Sequence, residues 1–269
     1  MAVHPSAIVE DGATLGAGVE IGPFCHVGPN VSLGDGVRLI SNCVVTGKTE
    51  IGARTVVHPQ AVLGGEGQIR NNDFDGRLVI GSDCVIREGV TMSAGSKNGG
   101  GVTTVGNNGY FMAMSHVGHD CHVGNDVTLV NAALLGGHIE VGDFALIGGG
   151  AAAQQFGRIG KGSFVSGLSG VNLDIIPYGE AIGLHAKLGG LNLIGLKRRG
   201  VPRPRIHALR AAFRMIFVDG SASFADSARR AQEQWPDMDE VQEVAAFILA
   251  PAKRRIAGYR RHAADADTE

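Results

Sequence analysis

Apolar residues recur at every sixth position over most of this chain. From Val3, steps of six land on Val9, Leu15, Ile21, Val27, Leu33, Leu39, Val45, Ile51, Val57 and Leu63. The frame is then lost, returns at Ile80, Ile86 and Met92, is lost again, and runs without a gap from Val105 through Phe111, Val117, Val123, Leu129, Leu135, Val141, Ile147, Ala153, Ile159 and Val165 to Val171. A period of six is neither the 3.6 of a helix nor the 2 of a simple strand. It fits short strands joined by tight corners, each strand turning one apolar side chain inward. Gly often follows that residue, as at Gly16, Gly22, Gly118 and Gly142, and Gly suits a corner because it tolerates positive φ. Stacked coils of this kind bury one continuous core. The hexapeptide parallel β-helix is the architecture such a period denotes, with three hexads to a coil and roughly eight to nine coils here.

The same frame sorts the cysteines. Cys25, Cys43, Cys84 and Cys121 all take the fifth hexad position, shared with Val31, Val37, Thr55, Ala61, Val127, Ala133, Ala145 and Ser163. This is a small, inward slot, so the cysteines read as core residues. No CxxC pair exists to suggest zinc or redox chemistry. The frame breaks near 65–79 and 93–104 read as loops, polar and Gly-rich, and insertions in a repeat often lie on its binding face.

Beyond residue 200 the pattern becomes helical. Ile206, Leu209, Phe213, Ile216 and Phe217 recur at helical spacing behind Pro202 and Pro204. A second helix capped by Ser221 or Ser223 runs toward Trp235, and a third, capped by Asp237, carries Val241, Val244, Ala245, Ile248 and Leu249. Residues 263–269 read as a frayed end. The expected organisation is a hexapeptide-repeat β-helix over 1–185, a connector over 186–200 and an α-helical domain over 201–269. Composition follows this division: of 42 Gly, only Gly220 and Gly258 lie beyond residue 200. Residues 1–177 carry a net charge of −6 and the remainder +4, giving −2 for the whole chain. That balance does not favour nucleic acid as a partner. No apolar run is long enough to span a membrane, and the start MAVHPSAIVEDGA lacks the basic and apolar parts of a signal peptide. The cytosol is the expected compartment.

Candidate chemistry concentrates in SHVGHDCHVG, residues 115–124. His116 and His122 share the sixth hexad position on successive faces and are not expected to converge on one ion within a chain. His119 stands at the third position. One coil on is Gly137, and two coils on is Gln155, both again third positions. Strands in neighbouring coils lie about 4.8 Å apart, which puts His119 and Gln155 roughly 10 Å apart on one face. Gly137 between them leaves space for a substrate and exposes a backbone N–H where an oxyanion could form. Asp120 adjoins His119 and is suited to orient its ring. A base, an orienting acid and an oxyanion donor are the parts acyl transfer requires; a solvated histidine is the alternative.

The chain resembles the UDP-N-acetylglucosamine O-acyltransferases that begin lipid A synthesis. The resemblance rests on HPSAIVEDGA, IGPFCHVGP, IREGVT, GGGVTTVG, SHVGHDC, QQFGRIG and GLKRRG, and it covers almost the whole length. It implies a left-handed prism and a homotrimer with active sites between subunits. It implies His119 as the base for the sugar 3-hydroxyl, Asp120 as its support and Gly137 as oxyanion donor. By the same resemblance His116, His138 and Gln155 line the sugar and acyl site, while His185, Asn192, Arg198 and Arg199 lie near nucleotide phosphates or the pantetheine arm. The donor it implies is a 3-hydroxyacyl group on acyl carrier protein, an acidic partner; no metal and no cofactor are called for. Where the family has a PQDLKY-like loop this chain has GEGQIRNND, retaining Gln68, and Ser93-Ala94 and Gln154 stand where the family has His-Arg and a frequent His. Other readings are N-acylation of a 3-amino UDP-sugar, a trimeric β-helix zinc hydratase of the carbonic anhydrase type, and a β-helix scaffold without activity.

Overall fold

The computed structural model describes residues 2–70, 75–97, 99–220 and 222–260. Part of the first predicted loop, Ser221 and the 263–269 end lie outside the described residues. The hexads wind as a left-handed parallel β-helix. Among the described residues, three sheets of 11, 9 and 8 strands form its walls, most strands being only two residues long, such as His116–Val117, Leu134–Leu135 and Ala152–Ala153. In-frame coils pair residues 18 apart, as His116 with Leu134 and Leu134 with Ala152. Across the frame breaks the register lengthens to 29 residues, Val56 with Val85, and to 25, Thr91 with His116. The excess leaves the prism as two excursions, after strand Val62–Gly65 and after strand Thr91–Ser93; the wall resumes at Arg77–Ile80 and Val102–Val105.

The inward hexad residues from Ile21 to Val171 and the fifth-position residues from Cys25 to Ser163 are buried in one column. Burying an aliphatic side chain of this size contributes ~1.5–3 kcal/mol, so the repeated slots carry the stability of the prism. All four cysteines are buried free thiols, and burial pushes the Cys121 thiol up to about 12.

One expectation is corrected. Apart from Gly64 at the first frame break, the glycines that follow the inward residue are not the positive-φ corners. That conformation falls on the fourth hexad position, and ordinary residues adopt it there, among them Asp120 at 58°, His138 at 60° and Phe156 at 64°. The second-position glycines are needed for close stacking: a Cβ at Gly22 would stand 1.8 Å from the Ile40 carbonyl oxygen one coil on, and one at Gly118 2.8 Å from the Gly136 carbonyl carbon.

At the C-terminal end, strands Gly179–Ile182 and Lys187–Leu191 form an antiparallel hairpin on the largest sheet. Helix α1 (Leu193–Arg198) follows, then α2 (Arg203–Phe217), α3 (Phe224–Gln234) and α4 (Asp239–Leu249). The expected connector therefore contains a strand and a helix. Ile206, Leu209, Phe213, Ile216 and Phe217 are buried as their spacing predicted. Ser223 caps α3 by accepting from the Asp226 N–H. Asp237 does not cap α4; Met238 holds that position without a side-chain bond. The chain then turns back, and residues 254–260 bond to the prism at Asp174 and Leu188.

Candidate active site

His119, Asp120, His138 and Phe156 all belong to one corner column of the prism, between the face carrying His116 and the face carrying His122. The Asp120 carboxylate at this corner is fully buried, covered by Ser96 and Gly99 of the second excursion. It accepts from the Ser96 N–H at 2.8 Å, from the Ser96 hydroxyl at 2.6 Å and from His119 Nδ1 at 2.7 Å. Burial alone pushes this carboxyl upward, but the bonds from Ser96 and His119 outweigh it and hold Asp120 below the ordinary carboxylate value.

With Nδ1 committed to Asp120, the opposite ring edge of His119 faces Gly137. A Cβ at residue 137 would lie 2.4 Å from both Nε2 and Cε1, so only glycine leaves this edge clear. Among the described residues no group accepts the Gly137 N–H, whereas its neighbours are bonded, Gly136 N–H to Ala153 O and His138 N–H to His119 O. Both excursions close on the pair. A Cβ at Gly67 would meet the His119 Cβ at 2.9 Å, and one at Gly99 would meet Asp120 Oδ2 at 2.2 Å.

A groove of about 740 Å³ runs along the face from Met114 to this corner. Gln68, His116, His119, Gly137 and Gln155 line it together. His116 bonds through Nδ1 to the Thr91 hydroxyl at 2.7 Å, and burial pushes its pKa down. His138 lies around the corner, lining a second groove with Asp120, Phe156 and Lys253. Its ring stands edge-on to His119 at 5.0 Å and stacks on Phe156 at 4.4 Å, and burial again lowers its pKa.

The remaining expected residues are not brought to either groove within this chain. His185 is exposed in the turn of the hairpin. Asn192 caps α1, accepting from the Gly195 N–H and donating to the Gly162 carbonyl. Arg198 is exposed, while Arg199 is half-buried over the Phe144 and Tyr178 rings. His116 and His122 lie on different sheets, as the frame required. His119, Asp120 and His138 do present ligand-type atoms within 4.8 Å of one another, but the Asp120 oxygens are already taken by Ser96 and His119.

Sequence reasoning missed Ser96, Thr91, Phe156, Lys253 and Arg254 as neighbours of the site. Phe156 was within reach, since Asp120, His138 and Phe156 repeat every 18 residues just as His119, Gly137 and Gln155 do. Ser96 and the two basic residues come from segments without a period.

Fold and site together define a hexapeptide-repeat protein of the acyltransferase class. A family profile described as "Udp N-acetylglucosamine O-acyltransferase; Domain 2" matches residues 174–257, and one described as "GMPPB C-terminal domain" matches residues 3–97. The acyl-[acyl-carrier-protein]--UDP-N-acetylglucosamine O-acyltransferase of Sinorhizobium fredii is 47% identical over 96% of each chain, and that of Bartonella henselae is 46% identical over 94% of this chain and 92% of its own. A crystal structure of a UDP-N-acetylglucosamine acyltransferase superposes with a TM-score of 0.93 at 34% identity, covering 97% of this chain and all of the other. The enzyme from Campylobacter jejuni gives 0.91 at 34% identity, over 96% and 100%. The chain belongs to the UDP-N-acetylglucosamine O-acyltransferase family.

Proposed function

We propose that the protein moves a 3-hydroxyacyl group from acyl carrier protein to the 3-hydroxyl of UDP-N-acetylglucosamine, the first step of lipid A synthesis. The observation that carries this reading is the His119 ring, anchored through Nδ1 on buried Asp120 and facing side-chain-free Gly137 across an open groove. A hydroxyl must lose its proton as it attacks. His119 Nε2 takes that proton, the sugar oxygen adds to the thioester carbonyl, and Asp120 stabilises the imidazolium formed. The Gly137 N–H donates to the oxyanion of the tetrahedral intermediate. Collapse breaks the C–S bond, and the proton on His119 passes to the departing pantetheine sulfur. Gln68, His116 and Gln155 in the groove, with His138 in the adjoining one, hold the sugar and acyl chain. Desolvation favours the neutral form of His116 and His138, which leaves them as hydrogen-bonding groups without charge.

His185, Asn192, Arg198 and Arg199 complete the reading only if a second subunit brings them to the groove. The face that carries the groove exposes Met114, Leu134, Leu168 and Leu184, an apolar surface that a homotrimer would cover. On α2, Arg203, His207, Arg210 and Arg214 form an exposed basic stripe suited to an acidic carrier protein. Among the described residues no helix is long and apolar enough to cross a membrane, and the reading takes the cytoplasm as the compartment. The test is mass spectrometry of products made from 3-hydroxyacyl carrier protein with UDP-N-acetylglucosamine and with its 3-amino analogue. An ester on the first is the expected product. An amide formed with clear preference on the second would overturn the acceptor.

A further inference from the structure

We propose that Arg254 is a positioning residue of this site, holding Gln155 in register with His119 and Gly137; the proposal rests on the acyl-transfer reading given above. The His119 carbonyl accepts the His138 N–H one coil on at 2.9 Å, and the Gly137 carbonyl accepts the Phe156 N–H at 3.0 Å. Each third-position carbonyl is thus held by the coil that follows. Gln155 is the next member, and residue 174 is its counterpart one coil on. The Asp174 N–H goes instead to the Arg255 carbonyl at 2.8 Å, because the prism ends here and residues 254–257 lie alongside Asp174.

Arg254 fills the vacated place. Its Nε donates to the Gln155 carbonyl at 2.8 Å, and Nη1 donates to Gln154 Oε1 at 3.0 Å and to the Asn172 carbonyl at 3.2 Å. One guanidinium therefore ties the last corner of the catalytic column to the coil that should have held it. Its planar fork of donors suits three fixed acceptors, which a lysine ammonium cannot match. The adjoining Lys253 lies over the Phe156 ring at 4.2 Å, on the far side of the stack that reaches His138. Gln155 itself is exposed, and among the described residues no backbone N–H donates to its carbonyl. Misplacing a positioning group by ~1 Å can cost about 100-fold in rate.

The test compares wild type, Arg254→Lys and Arg254→Met, each alone and combined with Gln155→Ala. The Lys variant keeps the charge and is the one most suited to fold normally. Its kcat/KM for UDP-N-acetylglucosamine should fall about 10-fold, and that of the Met variant up to about 100-fold. In the Gln155→Ala background either change should cost less than about twofold, because residues acting through one group are not additive. Amide hydrogen exchange, read without any substrate, should quicken at 154–157 in Arg254→Lys and stay unchanged in coil 129–147. Wild-type kcat/KM in Arg254→Lys, an equal loss in both backgrounds, or unaltered exchange at 154–157 would each overturn the proposal. An inactive wild-type protein would instead remove the acyl-transfer reading, and the exchange measurement would still judge the tie.

Discussion

The in-frame coils and the segments outside the frame divide the work of the site unequally. The coils fix where His119, Gly137 and Gln155 stand, because a residue 18 positions on must lie one coil away on the same face. The segments outside the frame supply what makes those positions act together: Ser96 on Asp120, Gly67 against His119, Gly99 against Asp120 and Arg254 on Gln155. A repeat can place functional groups in a line but cannot by itself enclose them, since every coil presents the same kind of open wall. Enclosure has to come from chain that leaves the period.

This contrast is open to direct attack. The largest effect belongs to the column itself. Gly137→Ala should lower kcat by at least about 100-fold, because a Cβ there would lie 2.4 Å from the His119 ring and displace it from its near-attack position. Gly149 has the same hexad position at a different corner, and a Cβ there would come no closer than 3.4 Å to any atom. Gly149→Ala should leave kcat and melting temperature near wild type, so equal behaviour of the two variants would break the argument.

A smaller effect is expected from the second excursion. Ser96→Ala removes a hydroxyl bond to the Asp120 carboxylate, and a bond to a charged group contributes ~1.5–3 kcal/mol. The backbone bond from Ser96 survives, so kcat should fall about 10-fold, the lower end of that range. Steady-state kinetics at saturating substrates would measure it; a loss as large as that of Gly137→Ala would mean that the excursion, not the column, sets the geometry.

The smallest effect is on stability. Burial pushes His116 and His138 below the ordinary imidazole value of 6.5. The unfolded chain then binds protons that the folded chain resists, so stability is complete above that value and declines as pH falls below it. Asp120, held below 3.8, acts in the same direction but only at lower pH. The melting temperature should drop by a few degrees between pH 7.5 and pH 5.5, and a His116→Asn, His138→Asn variant should flatten that slope. An unchanged slope would place the acid sensitivity elsewhere.

Much of this was legible in the sequence because a six-residue period is a long-range ruler. It aligned His119 with Gly137 and Gln155 and assigned the cysteines to a small interior slot before any contact was known. It did not explain the second-position glycines, which answer to the closeness of the next coil rather than to φ. Ser96 was confined to a loop but not to a partner, since an aperiodic segment carries no register. Arg254 bonds across 99 residues to a prism end that the period does not mark. His138 illustrates both halves: its hexad position was plain, while its place edge-on to His119 and stacked on Phe156 depends on a corner conformation that the period does not reveal.

The central claim is that His119 and Asp120 act as one unit facing Gly137. Its most direct test is kcat for acyl transfer to UDP-N-acetylglucosamine by His119→Ala, Asp120→Asn and the double variant, each checked for an intact fold by circular dichroism. Removing a general base costs about 10²–10⁴-fold, and groups that act together lose little more when both are removed. The account predicts that the double variant is no slower than His119→Ala within about twofold. Near-normal transfer by a folded His119→Ala protein, or losses that multiply in the double variant, would contradict it.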